Sequence, residues 1–385
     1  MGYFIRSARG YTFPGNGYGL SLSATDDDTL AVSAGEIILP NRIKVTIPAA
    51  SVTFAALDTG SRAIGDYALF AMASGLVLTR IATSHAGAGL RPSVAAADAN
   101  DCALLGYFHN GPKADGTVGD ARNQAIFPYS VSNNTLLNMA YPYRAHADLP
   151  AGVPLPGMVR LGPLAIGIYQ ASKEDATASA AGSGAYPTSR YGVVPWANLS
   201  GWATMAVARN VGARLPTWEE WLGAVQFNPG SATPAVMNGN TNSGASSDDA
   251  TQSGTSDPTQ AGRTLTGTGP RTTNVGATAA GRSWYSPAGL ADPVGNVWEW
   301  IAQFFGGLKT SYPGTSVAWG SNGDSAYNFQ GQAYNPDTGG YTEGLPAMLL
   351  VGGGLDSVAN AGVRVAMANY SPGLAYAGIG FRLSR

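Results

Sequence analysis

The chain has 385 residues, more than one ordinary core organises, so two domains are expected. Only 12% of its residues are charged and 44% are hydrophobic, which excludes a highly charged disordered chain and provides enough apolar material for real cores. The formal net charge of −2 gives no diffuse basic field to gather phosphates, so general nucleic-acid binding is not expected.

The start, MGYFIRSARGYTF, lacks a basic segment followed by a long apolar run, and no later stretch is long and apolar enough to span a bilayer. A soluble protein without a secretory signal or membrane insertion is expected. Early signals are β. Ile43, Val45 and Ile47 alternate with polar residues, and Val52 and Phe54 continue the apolar set. Asp66 to Met72, then Ala73-Ser74-Gly75, then Leu76 to Ile81, reads as a hairpin, and Ala103 to His109 as a buried strand. All three histidines, His85, His109 and His146, precede Pro150, whereas all eight tryptophans follow it. The Pro-rich stretch from Pro150 to Gly157 is therefore the natural joint between a small β-rich domain (1–150) and a second domain (151–385).

After the joint, Met158 to Ile168 reads as a strand and Leu199 to Asn210 as a small-residue helix. In Thr217-Trp218-Glu219-Glu220-Trp221-Leu222, Thr217 and Glu220 have capping-box spacing, and Trp218, Trp221, Leu222 and Val225 share one helical face. Residues 228–283 are Gly, Ser, Thr, Asn and Ala with almost no large apolar side chain, and read as a long surface insertion. The last hundred residues combine short strand-like pieces with Gly, Asn and aromatics, a composition in which binding loops are found.

Chemistry is scarce. From Pro150 onward there is no histidine and no cysteine, so Ser–His and Cys–His pairs and thiolate or imidazole metal sites are excluded there. Cys102, the single cysteine, reads as a core filler. Glu219 and Glu220 point about 100° apart, and capping already accounts for them. Asp26-Asp27-Asp28 reads as a solvated turn, as does Gly15-Asn16-Gly17. Asp292-Pro-Val-Gly295-Asn296-Val-Trp298-Glu299-Trp300 reads as a buried folding motif rather than a binding site for Glu299.

Four motifs in order carry a family resemblance: Gly212-Ala-Arg214-Leu-Pro-Thr217-Trp-Glu-Glu-Trp221, Gly289 to Trp300, Gly352-Gly353-Gly354, and Ile379-Gly380-Phe381-Arg382. Together they resemble the formylglycine-generating-enzyme (sulfatase-modifying factor) superfamily over about 156–385. The resemblance implies an α+β fold, with a C-type-lectin-like C-terminal domain of the formylglycine-generating-enzyme type preceded by the small β-rich domain. Enzymes of that family use cysteines near the C-terminal end, which this chain lacks, so that activity is disfavoured and no cofactor or metal is implied.

The tail, at about 350–385, resembles the variable region of diversity-generating-retroelement target proteins, in which mutagenic copying diversifies side chains on one lectin-fold face. Carried over by position, the variable, ligand-binding residues are Leu355, Asp356, Ser357, Val358, Arg364, Ala366, Ala368, Asn369, Tyr370, Leu374, Tyr376 and Gly378. These are expected on strands whose alternate side chains face solvent, forming an apolar and aromatic patch with Asp356 and Arg364 for polar specificity. The resemblance implies a non-catalytic protein that binds an unknown protein or glycan receptor, with an N-terminal domain that attaches or assembles with a partner and a setting compatible with a virion or cell surface. The rival is an undiversified phage-tail or adhesin tip that binds carbohydrate.

Overall fold

The computed structural model describes residues 20–39, 41–57, 60–81, 102–112, 124–133, 155–177, 179–226, 236–237, 282–283, 286, 288–293, 295–305, 317–318, 325–326, 332–335, 340–343, 346–354 and 362–385. The chain divides into two compact units, one of residues 1–111 with 124–158 and one of 112–123 with 159–385.

In the first unit, β1 (Leu22–Ala24), β2 (Thr29–Val32) and β5 (Ala50–Thr53) form a three-stranded sheet, and β3 (Gly35–Ile38) pairs with β4 (Lys44–Ile47) as a separate hairpin. A five-stranded sheet joins β6 (Gly65–Met72), β7 (Gly75–Arg80), β8 (Ala103–Pro112), β9 (Gln124–Ile126) and β10 (Ser132–Asn133). The anticipated hairpin is β6–β7, turning at Gly75, whose φ of 132° suits only a residue without a Cβ. The alternation at 43–54 is cut short. Ile47 is buried but Ile43 is exposed, and Phe54 starts a 3₁₀ turn, because the chain changes sheet after β4.

Leu30, Val32, Ile47, Leu69, Leu78 and Leu105 fill the core of this unit, and Tyr67 stacks on Phe108 with ring centroids 5.8 Å apart. Cys102 is buried, as a core filler should be. At the Asp26-Asp27-Asp28 turn, the Asp28 amide donates to Asp26 Oδ1 (2.8 Å) and Arg62 pairs with the Asp28 carboxylate. Arg62 also donates through Nη2 to the carbonyls of Asp27 (2.9 Å) and Gln124 (2.8 Å). Buried His109 donates from Nδ1 to Asp66 Oδ1 (2.9 Å), which also accepts the Gly157 amide (2.9 Å).

In the second unit, the run from Met158 is two strands, β11 (Met158–Leu161) and β12 (Leu164–Gly167), because Gly162 takes a positive φ of 62° and turns the chain. A further pair is β13 (Ala171–Lys173) with β14 (Pro187–Ser189). Helix α1 (Gly201–Arg209) starts where Ser200 Oγ accepts the Ala203 amide. Helix α2 (Trp218–Gln226) starts at the anticipated capping box: Glu220 N–H donates to Thr217 Oγ1 (3.3 Å) and Thr217 N–H to Glu220 Oε2 (2.9 Å). Trp221, Ala224 and Val225 are buried along its inner face, with Trp218 and Leu222 half-buried beside them. Of the 228–283 segment only β15 (Val236–Met237) and β16 (Arg282–Ser283) are described, and the insertion otherwise lies outside the described residues, as does the Gly15–Gly17 turn.

The main sheet of this unit has β17 (Trp298–Phe305), β20 (Gln332–Asn335), β21 (Gly340–Glu343), β22 (Ala347–Gly352), β23 (Gly362–Tyr370) and β24 (Ile379–Phe381), in the order β21-β20-β23-β22-β17-β24. A small pair, β18 (Val317–Ala318) with β19 (Ser325–Ala326), accompanies it. The sheet is mixed: β17 runs antiparallel to β22 and parallel to β24. Helix α2 packs against β17 and β23, and α1 against β17. Every residue of β22 is buried, as its near-continuous apolar sequence requires.

Candidate functional site

The four motifs that carry the family resemblance meet in the interior of the second unit. Arg382, fully buried, donates from Nε to Glu299 Oε2 (3.1 Å) and from Nη2 to Glu299 Oε1 (2.9 Å), a two-pronged ion pair between β17 and the residue that follows β24. Its remaining N–H groups reach the carbonyls of Gly167 (3.0 Å), Ile168 (2.6 Å) and Ala291 (2.8 Å). Gln170 Nε2 donates to Glu299 Oε1 (2.9 Å), and Asn296 Nδ2 donates to Gln170 Oε1 (2.6 Å). Trp221 of α2 lies over the guanidinium, 5.8 Å from ring centroid to Cζ.

Gly352 adopts a φ of 84°, and a Cβ there would stand 2.9 Å from the Pro293 carbonyl oxygen, so the third motif needs glycine to let two backbones approach. Glu299 is thus a structural acid, its charge matched and its lone pairs used by donors within the core. Beside this network, burial and then the Asp292 carboxylate push the Tyr191 phenol up to about 12.

Two acidic groups nearer the surface also have structural partners. Arg214 donates to both oxygens of Glu220 (2.6 Å each), and this hydrogen bonding holds the Glu220 carboxyl below its ordinary value. Arg214 and Ser384 exchange backbone hydrogen bonds at 2.8 Å, fastening the chain end to the start of α2. The Asp175 carboxylate accepts the amides of Ser183 (2.8 Å) and Gly184 (2.8 Å), which lower it to about 2. Among the described residues, no three His, Cys, Asp or Glu side chains come together as a metal site. The cysteines that enzymes of the resembled family use near the C-terminal end are missing from this unit's sequence after Pro150, so it supplies no thiolate ligand there.

The expected variable positions fall into three groups. Leu355, Asp356, Ser357 and Val358 lie outside the described residues; for Arg364 and Asn369 only the backbone, within β23, is described. Ala366 and Ala368 are fully buried, as is their neighbour Val365. This corrects the outward assignment of those two positions. β23 lies inside the sheet between β20 and β22 with α2 packed against it, so the inside–outside alternation of an exposed strand does not hold. Gly378 is also buried, with its carbonyl accepting the Trp298 amide at 2.9 Å.

The third group is at the surface. Tyr370, at the end of β23, and Leu374 are half-buried, and Tyr376 is 44% exposed. Between them the chain turns: the Leu374 amide donates to the Ser371 carbonyl (2.9 Å) and the Gly373 amide to Ser371 Oγ (3.2 Å). The turn is fastened to the start of α1, where the Trp202 amide donates to the Pro372 carbonyl (3.3 Å) and the Asn198 amide to the carbonyls of Tyr376 (3.2 Å) and Ile379 (3.1 Å).

Two aromatic residues outside the tail border the turn, and the sequence reading missed both. Trp202 of α1 is 52% exposed and Phe304 of β17 is 38% exposed; their rings stack with centroids 5.4 Å apart at 21°. Phe304 is opposite Met348 in β22, which is opposite Tyr370. For Trp202 a signal exists, since it stands off the buried stripe of Gly201, Thr204 and Ala208. Phe304 follows a register shift in β17 that no alternation pattern discloses.

Residues 125–385 match the family model of the sulfatase-modifying factor enzyme 1-like domain. A search of curated proteins returns no match. Among solved structures the chain is similar to the Major Tropism Determinant P3c variant, at 18% identity over 95% of this chain and 83% of that one, with a TM-score of 0.57. The M1 variant is also 18% identical over 95% of this chain and 82% of its own, TM-score 0.56, and the U1 variant 18% over 95% and 83%, TM-score 0.56. At such identity the likeness is one of fold, and it supports an α+β, C-type-lectin-like architecture.

Proposed function

This chain belongs to the sulfatase-modifying factor enzyme 1-like domain family, and from that premise we propose that it is a non-catalytic binding protein whose C-terminal surface meets a receptor and is diversified by a retroelement. The observation that carries the proposal is the separation of two sets of residues. The motif residues Glu299, Arg382, Trp221 and Asn296 are engaged in holding the core. Tyr370, Leu374 and Tyr376 flank a turn held by its own backbone, where side chains can change while the main-chain bonds stay.

The aromatic and aliphatic character of these residues suits a protein-binding hot spot. The absence of histidine and cysteine from the second unit's sequence after Pro150 supports a binding rather than a catalytic role. The names of the structural neighbours, determinants of tropism, accord with a receptor-directed task. Display on a virion or cell surface is the setting that goes with it; no helix among the described residues is long and apolar enough to cross a membrane. Sequencing the flanking DNA tests diversification. A near-copy of the stretch encoding about 350–385, differing mainly at adenines and accompanied by a reverse transcriptase, is expected; a locus without that repeat would contradict it.

A further inference from the structure

Resting on that reading, we propose that Trp202 and Phe304 form a constant aromatic anchor beside the variable tail, and that this anchor takes an uncharged aliphatic patch on a protein partner. Both side chains are large, apolar and exposed, and they stack on each other. Both stand on firm elements. Trp202 is in the first turn of a helix capped by Ser200, with its amide on the Pro372 carbonyl, and Phe304 is paired with Met348 of the wholly buried strand β22. Rings held this way lose little freedom when they are covered, which favours affinity.

Neither residue belongs to 350–385, so the same pair accompanies every version of the tail. The Trp202 amide is hydrogen-bonded to the Pro372 carbonyl, which places the start of α1 against the turn that carries Leu374 and Tyr376. The surface then has a shared part that gives adhesion and a changeable part that chooses among partners.

Charge identifies the occupant. From Trp196 to Ala208 and from Val365 to Phe381 the sequence contains no Asp, Glu, Lys or Arg. The only charge in β17 is Glu299, enclosed with Arg382. A charged partner would lose hydration here without gaining a counter-charge. A sugar stacked on Trp202 would need polar groups around the ring to bind its hydroxyls. The hydroxyl two residues along α1, that of Thr204, is fully buried and donates to the Gly201 carbonyl, so it is not presented beside the ring. A neutral aliphatic surface fits both observations.

The intact chain, immobilised and panned against a random-peptide display library, tests this. We expect enriched peptides rich in Leu, Ile, Val and Phe, uncharged, and binding with little dependence on salt. Trp202→Ala and Phe304→Ala should each weaken those peptides by about tenfold or more with an unchanged melting temperature, while Trp202→Phe keeps most of the affinity. Tyr376→Ser and Leu374→Ser should change which peptides bind and leave the dependence on Trp202 intact. The anchor is overturned if enriched peptides are charged, if Trp202→Ala leaves binding unchanged, or if no peptide enriches above the Trp202→Ala background. It is equally overturned if Trp202→Ala abolishes binding to a glycan array instead, or dissolves a self-associated form of the chain. Binding altered by tail substitutions but not by anchor substitutions defeats the anchor and spares the proposed function. The reverse pattern defeats the tail as the selective surface.

Discussion

Replacing Arg382 with methionine would leave the Glu299 carboxylate enclosed with Gln170 as its remaining side-chain donor, and would take a donor from the carbonyls of Gly167, Ile168 and Ala291, of which Ile168 keeps the Ala291 amide. An uncompensated buried charge costs about 3–5 kcal/mol, so Arg382→Met should lower denaturant stability by that much. The double variant Glu299→Leu/Arg382→Met should recover a substantial part, because an apolar pair of similar volume carries no desolvation penalty. Asp175 makes a prediction in pH. Its folded carboxyl is depressed to about 2 by the Ser183 and Gly184 amides, so its clamp is fully favourable above the ordinary value of about 3.9 and is lost as pH falls through the folded value. The Ser183 and Gly184 amide resonances should hold their positions at pH 4 and shift only as pH approaches 2. At this scale the sequence was most informative where chemistry is local. Thr217 with Glu220, and Asp26 with Asp28, could be read because their partners lie within a few residues. The burial of Ala366 and Ala368 could not, since it depends on which strands and helix come to lie against β23.

Among the elements, α2 is specified twice, by its capping box and by the apolar face that places Trp221 over Arg382. Thr217→Ala should cost about 1 kcal/mol in thermal or denaturant unfolding, the usual cost of an N-cap, and should leave the Trp221 environment unchanged in its fluorescence. Helices and hairpins were legible because their periodicities are set by short-range geometry. The split of Met158 to Ile168 into β11 and β12 was missed because a glycine at positive φ interrupts an otherwise uniform apolar run. The sheet order, with β23 between β20 and β22 and the last strand parallel to β17, is a property of long-range pairing that strand patterns do not contain. That order explains why the tail is divided: its strands belong to the scaffold and its turn belongs to the surface.

For the whole molecule, the chain divides into two compact units, residues 1–111 with 124–158 and residues 112–123 with 159–385. The first unit is built on β-sheets around Tyr67 and Phe108; the second is built on a mixed sheet with α1 and α2, whose interior polar network joins the second and fourth motifs, with Trp221 of the first over Arg382 and Gly352 of the third bonded to Gly295. The family could be read from those motifs because they fill positions where few residues fit, such as Gly352 against Pro293. The binding surface could be read only in part, because exposure at Tyr376 and Phe304 leaves no mark on local spacing. The proposed division of labour between a rigid interior and a permissive surface is tested most directly by thermal unfolding of chains randomised together at Tyr370, Leu374 and Tyr376. Surface changes are usually within about 0.5 kcal/mol each, so most members should melt within a few degrees of the parent. Widespread loss of about ten degrees or more, or loss of cooperative melting, would mean that these residues hold the fold together and would contradict the account.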